Sequence, residues 1–129
     1  MKVLNPFGPK IAIIKIPKKL INKINKEVDK ILDNEKILKK SDCSSKLVGQ
    51  VKQEIKLSSN FIKKNLLKFI GNNIRKYIYK SIKRDVKKIN IKNMWVVRQF
   101  KNEYNPIHWH SGHISGAGFL KLPKSFGNF

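Results

Sequence analysis

Trp95-Val-Val-Arg-Gln-Phe-Lys-Asn-Glu-Tyr-Asn-Pro-Ile-His-Trp-His-Ser-Gly-His113 is where this chain changes character. Met94–Phe100 is aromatic and β-branched, which predicts a strand. Asn102-Glu-Tyr-Asn-Pro106 has turn composition. Ile107–His110 then predicts a short strand, and Ser115–Leu122 another, whose glycines suggest a bulge or close backbone approach. Pro123 ends it.

Upstream the pattern is different. Ile11–Ile16 is a short β-branched run bracketed by Pro9 and Pro17, which predicts a strand. From Pro17 to about Lys40, Leu20, Ile21, Ile24, Val28, Ile31 and Leu32 recur at three- and four-residue spacing, which predicts a helix packed on a core by one face. Ser41–Ser45 is a polar loop, and Lys46–Leu57 has no decisive period. Ser58-Ser-Asn60 offers an N-cap to a second long helix over Phe61–Lys83, with Ile62, Leu66, Phe69, Ile70, Ile74, Tyr77 and Ile78 on its apolar face and Gly71 interrupting it. The tail Lys124–Phe129 carries no clear signal. Helices first and strands last predict an α+β chain, a mainly helical region over 1–88 and a β region over 89–129.

The whole chain has 129 residues, a size that suggests one domain. At 40% hydrophobic residues it should fold. No apolar run is long enough for a transmembrane helix, and the start lacks a signal-peptide core, so no membrane association is expected. Cys43 is the single cysteine, which fits a reducing cytoplasm. The net charge of +21 comes from 29 Lys+Arg against 8 Asp+Glu. Such a balance predicts salt-dependent, non-specific polyanion binding. Nearly all of it is lysine, spread along the chain, with arginine only at positions 75, 84 and 98. Dedicated nucleic-acid binders favour arginine, whose fork matches phosphate.

All three histidines lie together, at His108, His110 and His113. Side chains alternate along a strand, so His108 and His110 share a face and Trp109 takes the other. Two imidazoles so placed can reach one metal ion, and His113, beside a glycine, can swing toward it. A solvated histidine turn without a ligand is the bland alternative.

The stretch Trp95–Pro123 resembles the 2-oxoglutarate/iron(II)-dependent oxygenases of marine bacteria and their tailed phages, related to prolyl hydroxylases. The matching elements are Trp95 to Gln99, Tyr104-Asn-Pro-Ile-His-Trp-His110 and Ser115-Gly-Ala-Gly-Phe-Leu-Lys-Leu-Pro123, with Asn5–Ile11 and Lys46–Val51 in weaker support. The resemblance implies a jelly-roll or cupin-like double-stranded β-helix, of which residues 89–129 would be the first strands. It maps the two early Fe(II) ligands onto His108 and His110, leaves open which of His108, His110 and His113 bind the metal, and implies 2-oxoglutarate as cosubstrate, with Tyr104 helping to hold it. It implies hydroxylation of a protein side chain, a nucleic acid or a small molecule, in a host cytoplasm if the gene is a phage's.

The chain departs from the pattern. The usual carboxylate position is His110, Gly118 and Phe119 replace strand-like residues, and neither a distal histidine nor a distal arginine follows. The expectation is therefore an incomplete barrel, as a fragment or an inactive form. Two other readings stay open: a non-catalytic basic module for nucleic acid, with lysines converging on the Phe61–Lys83 helix, and a cupin-like or zinc protein using the histidine cluster. Cupins place a glutamate after His-x-His, and none follows Glu103.

Overall fold

The computed structural model describes residues 1–46 and 49–124, so Leu47, Val48 and the tail from Ser125 fall outside the described residues. The elements in order are β1 (Lys2–Leu4), β2 (Ile11–Ile13), α1 (Lys18–Leu32), α2 (Glu35–Ser41), a 3-10 turn (Ser44–Lys46), β3 (Gln53–Lys56), α3 (Ser59–Phe61), a π turn (Ile62–Leu66), α4 (Leu67–Ile82) and β4 (Trp95–Arg98). Helices and two small antiparallel sheets make a mixed α and β architecture.

α1 forms as its apolar spacing requires, burying Ile24, Val28 and Ile31. The expected single helix to Lys40 is instead two. The backbone breaks at Asp33-Asn34, where the Asn34 side chain accepts from the Ile37 N–H at 3.1 Å and caps α2. The second long helix starts where its cap predicts, with Ser58 Oγ accepting from the Phe61 N–H at 3.2 Å. It ends at Lys83 in the left-handed conformation, φ 57°. Gly71 is buried within it, and an added Cβ would meet only Arg75 Nη1 at 3.5 Å. The π turn puts Leu66 into the core at 1% exposure.

The core joins these helices to one hairpin. Ile24, Val28 and Ile31 of α1, Leu66 of the π turn, Ile55 of β3 and Leu57 form the buried cluster, flanked by Phe61, Ile70, Val96 and Leu120. β3 pairs antiparallel with β4, Ile55 opposite Val96 and Glu54 opposite Val97. Lys46–Leu57, which has no decisive period, thus supplies the partner that the Trp95 strand needs. Asp42 bridges the other edge of β3 at Ile55. Beyond β4 the pairing resumes at Gln50 and Tyr104, with the turn at Asn102 (φ 66°) looped out between. Glu103 holds that turn, accepting from the Lys52 N–H at 3.2 Å and the Phe100 N–H at 2.9 Å.

The remaining strands differ from expectation. β1 pairs with β2, so the Ile11–Ile13 run makes a separate hairpin with the N-terminus. Lys10 fixes it to α4, its carbonyl accepting from the Tyr77 hydroxyl at 2.6 Å and its ammonium donating to the Ser81 carbonyl. Ile107–His110 and Ser115–Leu122 form no strands. Their sequences alternate as strands do, but among the described residues no neighbouring strand offers them a ladder. Among the described residues there is no jelly roll and no double-stranded β-helix.

Candidate functional site: a histidine pair over a buried glutamate

The histidine segment is positioned from its N-terminal side. Tyr104 is tied by its backbone, its carbonyl accepting from the Gln50 N–H at 2.9 Å. Asn105 then packs against Gly49 so closely that a Cβ there would lie within 2.0 Å of Asn105 Oδ1. Gly112 takes φ +117°, a conformation that glycine alone adopts readily, and turns the chain after the pair. This segment alternates as expected without being a strand. His108 and His110 fall on one side, with ring centroids 4.5 Å apart, while Ile107 and Trp109 face solvent.

The two imidazoles meet edge to face, with His108 Nε2 and His110 Nε2 3.0 Å apart. His108 Nδ1 lies 2.6 Å from the Pro106 carbonyl oxygen. A carbonyl only accepts, so Nδ1 carries the proton, and the lone pair on Nε2 of the neutral ring accepts the hydrogen bond from His110 Nε2. Holding a histidine ring by its other nitrogen is how protein metal sites fix ligand orientation. The Trp95 ring, 5.7 Å from that of His110, provides the floor.

The strand face that carries Trp95 also carries a group that sequence reasoning missed. Glu54 of β3 is 2% exposed, and its Oε2 has no hydrogen-bond partner among the described residues. Burial pushes its carboxyl above the ordinary glutamate value; the charge of a protonated His108 pulls it back, and Asp42 pushes it further up. Alternation explains the position. Ile55 and Val96 face the helices, so Glu54, Lys56, Trp95 and Val97 share the opposite face, on which Trp95 meets His110. The Cys43 N–H and thiol both donate to the Glu54 carbonyl, each at 2.9 Å. Burial raises the Asp42 carboxyl, but hydrogen bonds from Ser44 and Glu54 outweigh it and leave a net lowering. The only signal for Glu54 in the sequence is one acid in Gln53-Glu-Ile-Lys-Leu57, and that matters only once the strand partner is known.

Of the residues expected to bind metal, the structure brings together His108 and His110. His113 is exposed, and among the described residues no three His, Cys, Asp or Glu side chains are grouped to hold a metal ion. Tyr104 is half exposed. Arg98 is directed elsewhere, donating to Gln53 Oε1 at 2.5 Å. No helix among the described residues is long and apolar enough to cross a membrane. No protein-family model matches the sequence, and neither a curated protein nor a solved structure matches it.

Proposed function

We propose that the chain is an iron-binding unit of the 2-oxoglutarate-dependent oxygenase type, with His108 and His110 as two donors to Fe(II). The observation that carries this reading is the 3.0 Å separation of the two Nε2 atoms together with the anchoring of His108 Nδ1. Two nitrogens each about 2.1 Å from one ion, at a right angle, stand about 3.0 Å apart, whereas a tetrahedral angle would spread them to about 3.4 Å. The same 3.0 Å is the length of the hydrogen bond between the rings in the metal-free chain, so an ion at the pair would displace the proton on His110 Nε2.

When bound, Fe(II) with 2-oxoglutarate supplies the oxidising chemistry for hydroxylating a substrate. The residues of the chain have simpler tasks. His108 offers a lone pair, His110 would offer one on losing its Nε2 proton, Pro106 holds one ring, Trp95 supports the other, and His113 is a third candidate donor on the same segment. Tyr104, four residues before His108, is the candidate for holding a cosubstrate carboxylate. On this reading residues 89–129, which include β4, are the opening part of a double-stranded β-helix, and the setting is a reducing cytoplasm. Anaerobic titration of the metal-free chain with Fe(II), with and without 2-oxoglutarate, tests it. The expected result is a weak visible charge-transfer band that His108→Ala abolishes. Iron binding without the band removes the cosubstrate from the reading, and no iron binding removes the reading.

A second reading has its own observation. Lys63, Lys68 and Arg75 line a groove of about 320 Å3 on the π turn and α4, and no acidic residue borders it. A phosphate backbone fits such a lining electrostatically. Arg75 is already committed, however, donating to the Val86 and Lys87 carbonyls at 3.1 Å each.

A further inference from the structure

Glu54 is a costly residue to keep. A carboxylate removed from water without a full set of partners destabilises a fold, and such groups concentrate where a charge has work to do. Nothing in the fold requires an acid at this position. The strand needs only the backbone of Glu54, and the hydrogen bonds from Cys43 end on its carbonyl. The side chain instead keeps one oxygen unpaired, on the strand face that carries Trp95, whose ring centroid is 5.7 Å from that of His110.

The histidine pair, for its part, lacks a negative charge. Two neutral imidazoles compensate none of the charge of a divalent cation, and the chain around them carries +21. A cation at the pair meets net repulsion unless an acid sits close by.

We propose that Glu54 is the carboxylate donor of the histidine site, so that a divalent transition-metal ion takes His108 Nε2, His110 Nε2 and Glu54 Oε2. This rests on the reading of His108 and His110 as metal donors. The three groups do not surround one point in the metal-free chain. The movement needed falls to the histidine segment, because Glu54 is fixed in the β3–β4 ladder while His110, Ser111 and Gly112 are exposed. Backbone hydrogen bonds end at Tyr104, and none ties the segment beyond it among the described residues. Metal binding therefore draws this strap down onto the buried carboxylate.

Cobalt(II) alone is a suitable probe, read by its visible spectrum, by the melting temperature with and without the ion, and by chymotrypsin cleavage after Trp109. Wild type should bind it, melt higher when loaded, and lose cleavage at Trp109, which is 99% exposed without the ion. Glu54→Gln should melt no lower than wild type when metal-free, yet bind cobalt about 10- to 100-fold more weakly, at least what loss of an outer-shell partner costs. Glu54→Asp keeps the charge and should fall between. Should His108→Ala abolish binding while Glu54→Gln binds within twofold of wild type, the pair stands and the role of Glu54 is overturned. Should no chain bind cobalt, both readings fail. If Glu54→Gln does not fold, the wild-type cleavage decides: unchanged cutting at Trp109 in the loaded chain overturns the closure onto Glu54.

Discussion

Replacing Glu54 by glutamine in the metal-free chain removes a charge from a position that is 2% exposed and has one unpaired oxygen. A buried polar group without a partner costs about 1–3 kcal/mol, and more when charged. The amide brings an unpaired N–H of its own, so the net gain expected at pH 7 is about 1 kcal/mol. For a chain of this length that is roughly 3–5 °C in melting temperature. The sign follows from the titration. The Glu54 carboxyl is raised above its ordinary 4.5 by burial, with protonated His108 opposing and Asp42 adding. The folded chain holds this proton more tightly than the unfolded chain does. Wild-type stability therefore falls as pH climbs through the interval from 4.5 to the raised value. The advantage of the glutamine variant should be full above that interval and absent well below it. Asp42 is present in both chains, so its own titration largely cancels in the difference. Urea unfolding at pH 7 and at pH 4, with a chelator present, measures it. A glutamine variant less stable than wild type at pH 7, or an equal difference at both pH values, would refute the view of Glu54 as a strained, uncompensated acid.

Leu66→Ala opens the core where π turn, α1 and β3 meet, and should cost about 2–5 kcal/mol by urea unfolding, with an unchanged m value if the denatured state is unaffected. Asp42→Asn should cost about 1 kcal/mol at neutral pH, because the carboxylate accepts from the Ser44 N–H at 2.9 Å. Its carboxyl is lowered by those hydrogen bonds despite burial, so that stability is present above the ordinary 3.8 and is lost as pH falls through the folded value. The difference from wild type should therefore shrink toward pH 2, and a constant difference would point to packing instead. Binding to an arbitrary duplex DNA should weaken steeply between 50 and 200 mM salt, with a log–log slope of several, as a basic chain of this kind requires. A flat salt response would remove the polyanion reading.

Helices and strands were legible to different degrees, for a physical reason. The α1 stripe and the Ser58 cap are local patterns, and the backbone follows them. The break at Asn34 is also local, but neither proline nor glycine marks it, so composition hides it. β3 was illegible because Gln53–Lys56 becomes a strand by pairing with Trp95–Arg98, distant in the sequence. The strands expected at Ile107–His110 and Ser115–Leu122 fail for the converse reason. Their composition is right, but a strand exists only with a neighbour, and among the described residues they have none.

The same asymmetry decides how the candidate site should be searched. The two-residue period puts His108 and His110 on one side whether or not a strand forms, so the pair is visible from sequence. A third donor sought within the motif can only be His113. The fold offers a different one, because the strand that supports Trp95 also carries Glu54, and their shared face lies under the histidines. The two candidates make opposite predictions. If the local motif is complete in itself, His113→Ala weakens cobalt binding and Glu54→Gln does not. If the site is assembled across the β3–β4 pair, His113→Ala leaves binding within about twofold, and the isolated peptide 105–113 binds far more weakly than the chain. A peptide that binds as tightly as the chain would show that the ladder contributes nothing.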